Sequence, residues 1–263
     1  PAVTADDVQR MLNERTLSVD AAVVRTFDSW DRFRELRNTT VTFVEVACTL
    51  SHVFALQHAF RNGDEVAVVL EDDLELSRTG IEERNGLTAS WRRARCMLSE
   101  LVSNAPEDWE ILQLLTNNEL LVRRSLDLDD LLYDWTVRHW GTQAYIISRS
   151  GMQKLLQQVQ RSDGRTLHLG PRVIADELLY TALRSYTSTV FPFTFRLGQG
   201  TDIQAMNQNS NVSLTNEAKI HDLIAKNLRH PFLRCFRCSP YYCRARRRWA
   251  LEQWNKRVNR TQK

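Results

Sequence analysis

Glu71, Asp72 and Asp73 stand directly behind the apolar run Val66-Ala67-Val68-Val69-Leu70. Three carboxylates at the end of a hydrophobic strand repel one another and are awkward to solvate beside a sheet, so they ask for a counter-cation. Oxygen-only ligands select hard ions such as manganese or magnesium over zinc. In open α/β sheets, ligands gather at the carboxyl ends of the strands, where these acids fall. An acidic turn accounts for the same three residues equally well. A second constellation, His230-x4-Cys235-x2-Cys238-x4-Cys243, has the ligand types and approximate separations of a structural zinc knot; a disulfide among these cysteines fits a secreted chain as well. Cys48 and Cys96 lie in apolar or helical patterns, where a free thiol usually serves as a small core residue. Tyr133, Trp135, His139, Trp140 and Tyr145 form an aromatic group whose faces suit the apolar side of a pyranose, with Trp140 and Tyr145 as acceptor contacts. Core packing explains such residues too.

The elements that would position these groups alternate along the chain. Asp6 to Arg15 is helical in character, and Ala21 to Phe27 alternates as a short strand. Leu50, Val53, Leu56 and Phe60 recur at helical spacing over Cys48 to Asn62, and Asn62-Gly63-Asp64 supplies the stop. The run Val66–Leu70 that follows is continuous rather than alternating, which predicts a strand buried on both faces. Trp91 to Val102 is predicted as a helix, Ile111 to Leu115 as a strand, and Asn117 to Trp140 as a polar and aromatic connection. Ala144 to Ser148 is then a buried strand, Gly151 to Gln160 a helix, Ala175 to Tyr186 a helix opened by two acids, and Val190 to Phe195 an edge segment limited by Pro192. This order predicts an α/β fold with a mixed, mainly parallel sheet flanked by helices.

With 263 residues, 43% of them apolar and 25% charged, the chain can bury a large core, which excludes disorder throughout. No uninterrupted apolar stretch approaches the roughly 18 residues of a membrane span, and the first fifteen residues lack a signal-peptide pattern. The net charge of +3 hides an asymmetry: residues 226–263 hold twelve Lys or Arg against one acid, Glu252, leaving a net −8 on the rest. The boundary falls near residue 225, between a domain over 1–225 and a basic, Cys-containing tail over 226–263. The tail could meet an anionic surface; a solvated helix end is the blander reading, and nucleic-acid binding is disfavoured because no nucleic-acid module surrounds it. Asn38, Asn211 and Asn259 head Asn-x-Ser/Thr acceptors, which slightly favour a secretory lumen over the cytoplasm.

Glu45-Val46-Ala47-Cys48-Thr49-Leu50-Ser51-His52, followed by Val69-Leu70-Glu71-Asp72-Asp73, resembles the paired signature of glycosyltransferase family 25. That family includes lipooligosaccharide and procollagen galactosyltransferases. Further matches follow in order: Asp108-Trp109-Glu110-Ile111, Ala144-Tyr145-Ile146-Ile147-Ser148 with Gly151, Asp176-Glu177-Leu178-Leu179, and Thr201-Asp202-Ile203. The resemblance spans about residues 41–205. It implies a GT-A type, Rossmann-like fold that takes a UDP-sugar donor with manganese or magnesium and moves a hexose, galactose first among candidates, to a saccharide, glycolipid or glycoprotein acceptor with inversion. On that pattern Glu71 and Asp73 hold the metal. Asp72 orients the ribose or a metal-bound water, and Ser51, His52 and Asp202 support the donor or the metal loop. Inversion needs a base for the acceptor hydroxyl, and Asp176 or Glu177 is the candidate. A helix start lowers a carboxylate's pKa, and Asp176 is also suited to plain helix capping, as Asp202 is to a turn after Gly198 and Gly200. The chain departs from the pattern at Ala47, where the family has Gly, and at Thr201, where it has Ser. The family's opening strand and arginine-rich turn are not recognisable here, and their counterpart is expected before residue 1. The alternative is a relative without catalysis that serves as a binding or adhesion module.

Overall fold

The computed structural model describes residues 2–25, 40–77, 87–125, 130–171, 173–197 and 217–225. The tail, its four candidate zinc ligands, Asp202 and all three Asn-x-Ser/Thr acceptors lie outside the described residues. In chain order the elements are α1 (Ala5–Asn13), β1 (Leu17–Val19), β2 (Ala22–Val24), β3 (Thr40–Thr42), α2 (Phe43–Arg61), β4 (Val66–Leu70) and β5 (Leu74–Leu76). They continue with α3 (Leu87–Ser103), β6 (Ile111–Gln113), α4 (Glu119–Ser125), β7 (Leu132–Asp134), β8 (Ala144–Ser148) and α5 (Arg149–Val159). The last are β9 (Leu167–Leu169), α6 (Ala175–Ala182), β10 (Ser185–Ser188), β11 (Phe193–Phe195) and a helix over 217–225, α7.

The central sheet has the order β4-β8-β6-β10-β7. β8 is antiparallel to both neighbours, β10 is parallel to β6, and β7 is antiparallel to β10. β4, β6 and β10 therefore run in one direction, with β8 and β7 returning between and beside them. The sheet is mixed and helices cover it, as the alternation of elements predicts. Three further pairs, β1 with β9, β2 with β3, and β5 with β11, extend the architecture at its margins.

Each face of the sheet carries its own core, because successive side chains along a strand point to opposite sides. Ile111, Tyr145 and Ile147 face one cluster with Leu50, Val53 and Leu56 of α2, Leu155 of α5 and Leu179 of α6. Leu112, Ala144 and Ile146 face the other, with Met97 and Leu101 of α3, Phe193 of β11, and Ile220 and Ile224 of α7. α2 is long and apolar enough to cross a membrane by composition. It is a core helix here, packed against α1, α5 and α6. A capping box starts it: Thr42 accepts from the Glu45 amide, and the Glu45 carboxylate accepts from the Thr42 amide at 2.8 Å. It stops at Asn62, followed by Gly63 at φ 83°, a conformation that costs glycine little.

Three expectations are corrected. The Val66–Leu70 strand is not buried on both faces: it lies at the edge of the sheet, Ala67 and Val69 turn to the α2 side, and Val66, Val68 and Leu70 remain 39–44% exposed. An apolar run reports strand propensity and at least one buried face; it does not by itself count the layers above and below. The helix predicted to Tyr186 ends at Ala182, where Ser185 Oγ donates to the Tyr180 and Leu183 carbonyls, and Ser185–Ser188 joins β6 as β10. The connection Asn117 to Trp140 contains α4 and β7.

Candidate active site

The acids after β4 are placed by the sheet itself. The Glu71 amide donates to the Gln143 carbonyl at 2.8 Å, which continues the β4–β8 ladder by one residue and fixes the Glu71 backbone beside Thr142. Thr142 Oγ1 donates to Glu71 Oε1 at 2.9 Å, and His52 Nε2 faces the same oxygen at 3.4 Å. His52 is buried on α2, and its Nδ1 meets the Tyr145 hydroxyl at 3.1 Å. Tyr145 is wholly buried and its hydroxyl pKa is pushed well above the usual value by burial and by the Glu71 charge, so the hydroxyl keeps its proton. Donating that proton to Nδ1 leaves the imidazole proton on Nε2, aimed at Glu71. The chain Tyr145–His52–Glu71 thus orients one carboxylate from behind.

Asp73 lies two residues on, its backbone carbonyl accepting from the Arg196 amide at 2.8 Å. Burial pushes its pKa up to about 6, and the neighbouring charges of Glu71, Asp72 and Glu217 add to the rise. Asp73 Oδ1 is buried with no hydrogen-bond partner among the described residues. A buried carboxylate oxygen without a donor, in a field of like charges, has the environment of a cation ligand.

Asp176 reaches the same place from the first turn of α6. Thr49 Oγ1 donates to the Val173 carbonyl at 2.6 Å and ties the approach to α6 onto α2, while Leu178 and Leu179 bury the helix's inner face. The N-cap is Ile174, with no side-chain cap bond, so Asp176 does not cap the helix. Burial pushes its pKa up to about 6. The Gly141 amide opposes the rise, Glu71 adds to it, and His52 and Thr142 hold it down. Gly141, at φ 114°, lies between these groups: its carbonyl accepts from Gln113 Nε2 at 2.8 Å and from the Tyr180 hydroxyl at 3.1 Å. Tyr180 is stacked on Trp135 and edge-on to Tyr145.

Of the residues singled out from sequence, Glu71, Asp73, His52, Tyr145 and Asp176 converge. Tyr145, expected to touch an acceptor, is an interior wall whose hydroxyl is engaged by His52. Asp72 and Glu177 are exposed at the margin, and Trp140 is 45% exposed immediately before Gly141. Ser51 turns to the other side of α2, where its hydroxyl accepts from the Val3 amide at 2.9 Å and donates to the Ala47 carbonyl. The sequence reasoning missed Cys48, Thr142 and Tyr180. Cys48 Sγ, His52 and Glu71 offer ligand atoms that all lie within 4.8 Å of one another. Burial pushes the Cys48 thiol up to about 12, and the surrounding charges of Glu71, Asp176 and Asp73 reinforce the shift. The i, i+4 spacing of Cys48 and His52 on one helix face is the signal that could have found it.

An α/β fold with carboxylates gathered at the carboxyl end of a strand has the layout of a ligand-binding site. The model of glycosyltransferase family 25, described as an LPS biosynthesis protein, matches residues 25–168, more than half of the chain, and the chain belongs to that family. It is a glycosyltransferase, taking a sugar from a donor to an acceptor. No curated protein and no solved structure matches it. The match contains Cys48, His52, Glu71, Asp73 and Thr142; Asp176 lies beyond its end.

Proposed function

We propose that this glycosyltransferase is a metal-dependent, inverting enzyme that moves a hexose, galactose first among candidates, from a UDP-sugar to a saccharide, glycolipid or glycoprotein acceptor. The observation that carries the reading is the placement of Asp73 and Asp176, each partly buried and each raised by burial and by the Glu71 charge, about that one carboxylate, with an unpartnered Asp73 oxygen. Glu71 and Asp73 would hold manganese or magnesium. Such an ion supplies electrostatic stabilisation to the diphosphate as the sugar departs.

The chain's own residues then divide the remaining work. Asp176 takes the proton from the acceptor hydroxyl as the new glycosidic bond forms at the anomeric carbon, and a carboxyl raised to about 6 is better matched to that task than an ordinary aspartate. Tyr145 and His52 hold Glu71 in one orientation, and Thr142 bonds the same carboxylate. Trp140, exposed beside Gly141, offers a flat face to a sugar ring, and Asp72, exposed beside the metal-binding acids, is placed to meet the donor.

The test is calorimetric titration of UDP with and without manganese, together with hydrolysis of UDP-galactose. We expect UDP to bind in a manganese-dependent way and Asp73→Ala to lose binding and hydrolysis together. A protein that neither binds UDP nor hydrolyses a UDP-sugar in either condition would overturn the reading in favour of a non-catalytic binding module.

A further inference from the structure

The cluster contains a donor set that a hard-ion site does not require. We propose that Cys48, His52 and Glu71 form a second metal site, selective for borderline-soft ions of the zinc class, set against the carboxylate site and meeting it at Glu71. Thiolate, imidazole and carboxylate together are a zinc-type ligand set, whereas manganese and magnesium prefer oxygen alone.

The geometry carries the assignment. Two ligands on one tetrahedral zinc, each about 2.0–2.1 Å from the ion, stand about 3.3–3.4 Å apart. His52 Nε2 and Glu71 Oε1 are separated by 3.4 Å. A sulfur ligand at about 2.3 Å from the metal lies about 3.6 Å from its neighbours, within reach of a small side-chain adjustment from the 4.8 Å envelope that contains all three atoms. Cys48 and His52 project from adjacent turns of a helix locked into the core, so two of the three donors are held in place by packing.

The outer contacts also suit a ligated imidazole. A metal-bound histidine donates its second ring N–H to an acceptor, and the Tyr145 hydroxyl oxygen lies 3.1 Å from Nδ1. Without an ion, Tyr145 donates to Nδ1 and Nε2–H points to Glu71; with one, Nδ1–H donates to Tyr145 and Nε2 becomes the ligand. The thiol proton leaves to solvent as the sulfur–metal bond forms. Three protein donors leave the fourth position to water. Because Glu71 serves both sites, a zinc-class ion draws it toward α2 and away from Asp73, so zinc should inhibit transfer. That last consequence rests on the proposed role of Glu71 and Asp73 in holding the hard ion; the site itself does not.

The experiment is a cobalt(II) titration of the full chain followed by absorption spectroscopy. The tail cysteines are replaced in the background Cys235→Ser, Cys238→Ser, Cys243→Ser so that they contribute nothing. We expect a thiolate-to-cobalt charge-transfer band in the near ultraviolet, lost in Cys48→Ser, strongly weakened in His52→Asn, retained in Asp73→Asn and displaced by zinc. Circular dichroism melts that match the background show that each variant folds. No charge-transfer band in the folded background protein, or a band that survives Cys48→Ser, overturns the proposal. Manganese binding, followed by loss of the free-ion electron paramagnetic resonance signal, separates the two sites. Asp73→Asn should lose manganese and keep the cobalt band, and Cys48→Ser should do the reverse. If manganese binds to none of these proteins while the cobalt band behaves as expected, the hard-ion reading fails and the zinc-class site stands.

Discussion

The two ends of the central sheet treat their acids in opposite ways. Where β6 and β10 begin and the antiparallel β7 finishes, Asp108, Glu110 and Asp134 face bases: Arg184 reaches Asp108 at 3.0 Å and Asp134 at 3.3 Å, and Lys154 reaches Glu110 at 2.8 Å. A hydrogen bond from Tyr186, with the Arg184 charge, holds the Asp108 carboxyl below its ordinary range. At the other end, beyond the close of β4, burial and then the Glu71 charge raise both Asp73 and Asp176. The first group is a solvated surface network that contributes little to stability. The second is an electrostatic deficit that the fold maintains at a cost in stability, and such deficits mark functional sites. A count of acids does not separate the two ends; their partners do.

The sharpest way to break this contrast is Asp176→Asn. Losing the proposed general base should lower kcat for sugar transfer on the order of 10²–10⁴-fold. The same change should raise stability. A carboxyl raised in the folded state contributes favourably below its unfolded pKa near 4, and that contribution is lost as pH rises through about 6. At pH 7.5 without divalent ions, urea unfolding should show Asp176→Asn more stable by about 1–3 kcal/mol. Near pH 4 the two proteins should converge.

Gly141→Ala comes next. The residue sits at φ 114°, a conformation that strains any L side chain; an added Cβ would also stand 2.4 Å from Gln143 Oε1, the far end of a flexible side chain that can give way, so the backbone beside Thr142 carries most of the cost. A cost of about 1–3 kcal/mol is expected, with a fall in kcat/KM larger than stability alone explains. At the opposite end of the sheet Arg184→Ala should mark the lower bound. Its melting temperature should move only slightly, less still in high salt, and kcat/KM should be unchanged. A large loss of activity in Arg184→Ala would erase the distinction between the ends.

Much of this layout is legible in the sequence. The strands Val66–Leu70 and Ala144–Ser148 agree residue for residue with expectation, because apolar runs between turn signals are local features. The three-residue strands β1, β5 and β9 were not predicted, since segments so short are defined by distant partners, as when Leu17–Val19 pairs with Leu167–Leu169. β10 was hidden for a related reason: Leu183 to Ser188 continues an apolar helix without Gly or Pro, and only pairing with β6 makes it a strand. In the site, Glu71, Asp73 and Asp176 were identifiable by type and motif. Cys48 was set aside as a core thiol; its i, i+4 spacing to His52 is a local sign of a donor pair, but nothing local reports the carboxylate that arrives from residue 71. Tyr145 was assigned to the acceptor because aromatic residues near a polar loop suit sugar faces; the alternation of β8 turns it inward instead.

α2 has one more consequence. Val46, Ala47, Leu50 and Val53, all buried, bracket Cys48 and His52 on the same nineteen-residue helix. The candidate site thus has no hinge of its own along this segment; its geometry is inherited from a helix packed into the core. On heating, loss of transfer and loss of helical signal should follow a single curve, and substitutions that loosen Leu50 or Leu56 should reduce turnover without touching a reacting atom.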